Sequence, residues 1–102
     1  MSKKYEIYIG LRDQDTYTEY FSTDDFRKML VSICSDKKIG FSLTTQFGGY
    51  SHNKGYVTET SLRITLFGIS EDEVRVIGEK LKKAVNTDTI MITREDCEYY
   101  YL

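Results

Sequence analysis

Two apolar stripes at helical spacing, each set between segments that alternate apolar with polar, constrain this chain more than any other feature. The first stripe is Phe26, Met29, Leu30, Ile33 and Cys34, at i, i+3, i+4, i+7 and i+8, which is one face of an amphipathic helix. Ser22 or Thr23 can cap its start, and Asp24 and Asp25 suit the positive pole there. The second stripe is Val74, Ile77, Gly78, Leu81 and Val85. Ser70 followed by Glu73 forms a capping box before it, Lys80, Lys82 and Lys83 suit its negative end, and Asn86 closes it.

The segments between carry the period of two that belongs to half-buried strands. Tyr5, Ile7, Ile9 and Leu11 alternate with Glu6, Tyr8 and Gly10. In residues 39–47, Ile39, Phe41, Leu43 and Phe47 fall on one side, with Ser42, Thr44 and Gln46 on the other. In residues 57–67, Leu62, Ile64 and Leu66 point inward, while Glu59, Ser61, Arg63 and Thr65 point outward. The intervening GGYSHNKG reads as the flexible, glycine-rich loop of a long β-hairpin. Residues 12–20 read as a polar loop and 89–93 as a last strand. The order β-α-β-β-α-β predicts an α+β, ferredoxin-like sandwich. Its four-stranded antiparallel sheet carries both helices on one face, with the second and fourth strands at the edges. A chain of 102 residues suffices for one such domain, spanning 1–102, with one core.

Charge excludes little but does exclude something. With 14 basic and 16 acidic residues, the chain lacks the basic excess of a general nucleic-acid binder. The start, MSKKYEIYIG, alternates and has no apolar run of the kind a signal peptide carries, and no stretch approaches a membrane span. The two cysteines, Cys34 and Cys97, follow no metal or disulfide spacing, and Cys34 falls on the helical stripe. A cytoplasmic location is expected, the host cytoplasm for a phage-borne gene.

Chemistry has one obvious place to sit. The open sheet face brings Glu6 and Tyr8 beside Glu59, Ser61 and Arg63, with Ser42, Thr44 and Gln46 next to them. An antiparallel sheet can simply show water a polar face. The alternative is a pocket lined by Tyr8, Gln46, Glu59, Ser61 and Arg63, with Tyr50 and Tyr56 in a hairpin loop that covers it. Glu59 can instead pair with Arg63. His52, the one histidine, reads as solvated. The paired acids Asp24/Asp25 and Asp72/Glu73 are accounted for by helix starts. Gly48, Gly49 and Gly55 do not form a P-loop, since no GKS or GKT follows. No cofactor and no metal are expected.

Several stretches, YEIYIGL, FSTDDFRKML, QFGGYSHNKGYVTETSLRITLFG and NTDTIMIT, together resemble a family of small bacterial and phage ferredoxin-like domains without an assigned activity. The tyrosine-rich ending departs from that pattern. The resemblance implies the fold and singles out Gln46, Glu59 and Ser61 as special polar positions. The functional expectation is a non-catalytic domain that binds a small polar, nucleotide-like ligand, the tyrosines stacking on a base and Arg63 or loop N–H groups meeting phosphates. In a phage it would sequester a host defence signal or block a host protein. The alternatives are a small oligomeric enzyme of the dimeric α/β-barrel type, with Tyr8, Glu59 or His52 as acid or base, and a protein-interaction module. Nine tyrosines and two sheet edges also predict a homo-oligomer, with the tail Tyr99, Tyr100 and Tyr101 available for edge pairing.

Overall fold

The alternating segments and apolar stripes become strands and helices in the expected order. The computed structural model describes residues 2–53 and 55–102. It contains β1 (Lys3–Gly10), α1 (Thr23–Asp36), β2 (Ser42–His52), β3 (Gly55–Phe67), α2 (Glu71–Val85) and β4 (Met91–Asp96). The sheet order is β2-β3-β1-β4, and every neighbouring pair is antiparallel. This is the ferredoxin-like α+β arrangement, with β2 and β4 at the edges.

Both helices contribute to one core. Phe26, Leu30 and Cys34 of α1 and Val74, Ile77 and Leu81 of α2 are almost wholly buried against Ile7, Ile9, Leu62, Ile64 and Leu66. Burial alone pushes the Cys34 thiol pKa up, as expected of a small core residue. Ser22 caps α1 by accepting from the Asp25 N–H at 3.0 Å. At α2 the capping box is complete: Ser70 Oγ accepts from the Glu73 N–H, and Glu73 Oε1 accepts from the Ser70 N–H. Asn86 closes α2 in the left-handed conformation, at φ 58° and ψ 50°, which asparagine tolerates better than most residues. Among the described residues no helix is long and apolar enough to cross a membrane.

The glycine-rich segment is strand, not a flexible loop. The β2–β3 register holds without a break from Ser42↔Thr65 to His52↔Gly55. Beyond the reach of β1 the hairpin continues as a two-stranded arm. Its glycines provide space. A Cβ on Gly49 would stand 2.7 Å from the Tyr56 ring, and one on Gly48 would stand 3.2 Å from Ser61 Oγ. An aromatic ring covering a cross-strand glycine is a stabilising device of sheets. Phe47 is not inward in the sense of being buried. It shares a face with Leu43 but pairs with Thr60, past the helices, and is 83% exposed. The tail does not extend β4 beyond Asp96; Cys97 N–H donates to the Ser2 carbonyl, and Tyr99 packs edge-on against Phe67 with centroids 5.1 Å apart.

Candidate functional site

Where β1 ends, the sheet opens into a cleft. Gly10 is its last residue, the chain turns away into segment 12–20, and the β2–β3 arm continues alone on the other side. The space between them, closed at its far edge by residues 87–90 and by Met91 at the start of β4, is a cavity of about 620 Å³. That volume lies in the range of small-molecule sites. Tyr8, Tyr50, Glu59 and Ser61 line it, together with Gly10, Arg12, Tyr17 and Gly48.

Glu59 is the chemical centre of the cleft. It faces Gly48 across β3–β2, and its carboxylate lies over Gly10. A Cβ on Gly10 would fall 2.0 Å from Glu59 Oε1 and 2.6 Å from Oε2. The two strands flanking Glu59 thus offer backbone rather than side chains at its level. Its Oε2 accepts from the Arg12 backbone N–H at 3.3 Å. Burial raises the Glu59 pKa above the ordinary carboxylate range, against the lowering effect of the Arg12 N–H and charge, and Glu19 adds to the rise. Tyr50 is also raised, first by burial and then by the charge of Glu59, so it remains a neutral donor and stacking surface at physiological pH.

The cleft offers an incoming group no open cation among its described lining residues. Arg12 turns its guanidinium to the main chain: Nε and Nη2 donate to the Thr58 carbonyl at 3.1 and 2.8 Å, and Nη1 donates to the Tyr17 carbonyl at 2.6 Å. Asp13 and Asp88 also line the cleft. The amide of Asn86 is the main cause that lowers the Asp13 pKa, keeping that carboxylate ionised.

Three of the sequence-derived site residues are not brought to this cavity. Arg63 lies one step along β3 from Ser61 on the same face, but its Nε sits 3.3 Å from Glu6 Oε2. That atom is shielded from solvent without an aligned hydrogen bond, so the contact is an ion pair held by proximity. Glu6 also gathers the Tyr8 and Thr65 hydroxyls, each at 3.5 Å. The Glu59–Arg63 pair considered from sequence does not form, and Arg63 is not available to a phosphate at the cleft. Gln46 pairs with Ser61 across β2–β3 but does not line the cavity. Tyr56 points to the opposite face of the arm from Glu59, because the two stand three positions apart in one strand. The side chain of His52 lies outside the described part of the structure. Among the described residues no group of three or more His, Cys, Asp or Glu side chains is placed to hold a metal.

Gly10, Arg12, Tyr17 and residues 86–91 are the contributions that sequence reading missed. Gly10 carried a usable signal, since an isolated glycine on the open face of a strand marks a close approach.

No known family profile matches the chain, and no curated protein does. Solved structures do. A phage SAM lyase in complex with S-methyl-5′-thioadenosine superposes with a TM-score of 0.75 at 23% identity, over 93% of this chain and 81% of that one. The phage SAM lyase in its apo state gives 0.74 at 22%, over 91% and 78%. The B. subtilis GlnK–ATP complex gives 0.59 at 11%, over 92% and 81%. At these identities the likeness is one of fold.

Proposed function

We propose that this protein binds S-adenosylmethionine (SAM) in the Glu59 cleft and cleaves it to S-methyl-5′-thioadenosine. The observation that carries the reading is the half-buried Glu59 carboxylate in a tyrosine-lined cleft with no open cation among its described lining residues. Such a site favours a nucleoside with a positive charge over a nucleotide with phosphates. The tyrosines offer faces for a base, and Glu59 anchors the cationic end of the substrate. The fold shared with a phage SAM lyase supports the same reading.

The chemistry asks for no nucleophile beside a base. A lyase that leaves the thioadenosine breaks the C–S bond to the aminobutyryl chain without water. The substrate's own carboxylate can supply the electron pair, attacking Cγ while the bond electrons return to sulfur; homoserine lactone leaves with the ammonium proton still in place. The step neutralises a carboxylate and a sulfonium, and a dry cleft accelerates such charge loss. The protein need only exclude water and hold the chain bent. The same cleft also fits a second reading, a non-catalytic domain that sequesters SAM. In a phage, either would remove a nucleotide-like host metabolite, consistent with an anti-defence role in the host cytoplasm.

Calorimetric titration tests the binding step. SAM and S-methyl-5′-thioadenosine should bind and ATP should not; tight ATP binding with no SAM binding would overturn the proposal. SAM affinity should fall as the pH drops through the raised Glu59 pKa, above the usual carboxylate range, because only the ionised form attracts the cation. The uncharged thioadenosine should lose much less over the same interval.

A homo-oligomer belongs to the same proposal. The arm presents Phe47 at 83% and Tyr56 at 71% exposure, and among the described residues both sheet edges are unpaired. Sedimentation should give a mass above 11.9 kDa at micromolar concentration, and a monomer there would contradict the assembly.

A further inference from the structure

We propose that Asn86 is a positioning residue for the cleft, latching the two walls of its mouth to each other; this rests on the cleft being the ligand site. Segment 13–18 is a tight turn built on Asp13. Asp13 Oδ1 accepts from the N–H groups of Asp15 and Thr16 at 2.8 and 3.1 Å, its carbonyl accepts from Tyr17 N–H at 2.8 Å, and its own N–H donates to the Thr18 carbonyl at 2.9 Å. This turn carries Tyr17, at φ 58°, into the cavity lining. Asp13, Gln14 and Asp15 of this turn converge on Asn86. Asn86 Nδ2 donates to Asp13 Oδ2 at 2.9 Å and to Asp15 Oδ2 at 3.0 Å. Asn86 Oδ1 accepts from Gln14 Nε2 at 3.0 Å, and the Asn86 carbonyl accepts from Gln14 N–H at 2.8 Å.

Closing α2 does not require this. Glycine fits a left-handed cap at least as well as asparagine and makes none of these side-chain bonds. The amide is singular in another way: it is a neutral donor shared by two carboxylates that would otherwise repel each other. The chain leaving Asn86 becomes the opposite wall, residues 87–91. The Asn86 side chain, with one main-chain bond from Gln14, therefore fixes the turn bearing Tyr17 relative to the strand entry that closes the cleft. A displacement of about 1 Å between such walls is enough to weaken a well-fitted ligand strongly.

Asn86→Gly separates the latch from the cap. S-methyl-5′-thioadenosine should bind roughly tenfold more weakly, while the melting temperature stays within a few degrees of the parent. Amide exchange at Thr16 and Tyr17 in the ligand-free protein should accelerate, with α2 protection unchanged. Asn86→Asp should weaken binding further by placing a third carboxylate against Asp13 and Asp15. The exchanged pair Asp13→Asn with Asn86→Asp, which restores one bond with donor and acceptor reversed, should recover part of that loss. Parent-like affinity and parent-like exchange in Asn86→Gly would overturn the proposal. If the parent protein does not bind the thioadenosine, the ligand reading fails, and the exchange rates alone still decide whether the latch exists.

Discussion

Glu59→Gln should cost roughly 100-fold or more in SAM affinity while the melting temperature at neutral pH holds or rises. The two halves of this result have one cause. Burial, the largest influence on Glu59, raises its folded pKa, so the folded protein binds this proton more tightly than the unfolded chain does. Between the two pKa values stability falls as pH rises; above the folded pKa the destabilisation is fully present. Wherever Glu59 is ionised the parent carries it and the glutamine variant does not, since the amide oxygen still accepts from the Arg12 N–H. The advantage of the variant should shrink as the pH is lowered and Glu59 itself becomes protonated. A carboxylate that served only to stabilise the sheet would give the opposite pattern, with lower stability at pH 7 and unchanged affinity.

Gly10→Ala should abolish SAM binding nearly as completely as Glu59→Gln, although residue 10 brings no functional group. The added Cβ would occupy the place of the carboxylate, 2.0 Å from Oε1 and 2.4 Å from Cδ. The obstructed atoms are the free end of a flexible side chain, so Glu59 would swing out and leave the backbone in place. Alanine also restricts the unfolded chain more than glycine does, a gain of at most about 0.5–1 kcal/mol at this strand end, which works against the lost Arg12 contact. Binding should therefore collapse with a small change in urea midpoint. Because both variants remove the same carboxylate from the same place, their effects should not add in the double variant. Gly40→Ala, with nothing within 4 Å of its Cβ position, is the matched control and should behave as the parent. Parent-like SAM affinity in Gly10→Ala would mean that the seated position of Glu59 is irrelevant to the ligand.

The elements were legible in the sequence wherever a local pattern decides the structure. The helical stripes, the Ser70–Glu73 capping box, the Asn86 stop and the strand order all follow from periodicity, capping chemistry and the β-α-β-β-α-β order. The hairpin tip was not legible, because glycine serves both turns and close packing. Gly48 and Gly49 look the same in either role until the register sets them opposite Glu59 and Thr58. Four of the seven candidate residues, Tyr8, Tyr50, Glu59 and Ser61, line the cleft because strand alternation places them on the open face. Arg63 obeys the same alternation and still belongs elsewhere, since Glu6 on the neighbouring strand claims it. Arg12 and Asn86 act through partners 46 and 73 residues away. No local pattern announces such pairings; they exist only once the sheet and α2 are in place.

The most direct test is to incubate the purified protein with SAM at neutral pH and follow both the substrate and S-methyl-5′-thioadenosine by mass spectrometry. SAM should disappear as the thioadenosine and homoserine lactone accumulate in equal amounts, and Glu59→Gln should form both far more slowly. SAM recovered intact after prolonged incubation with excess protein would contradict the proposed cleavage.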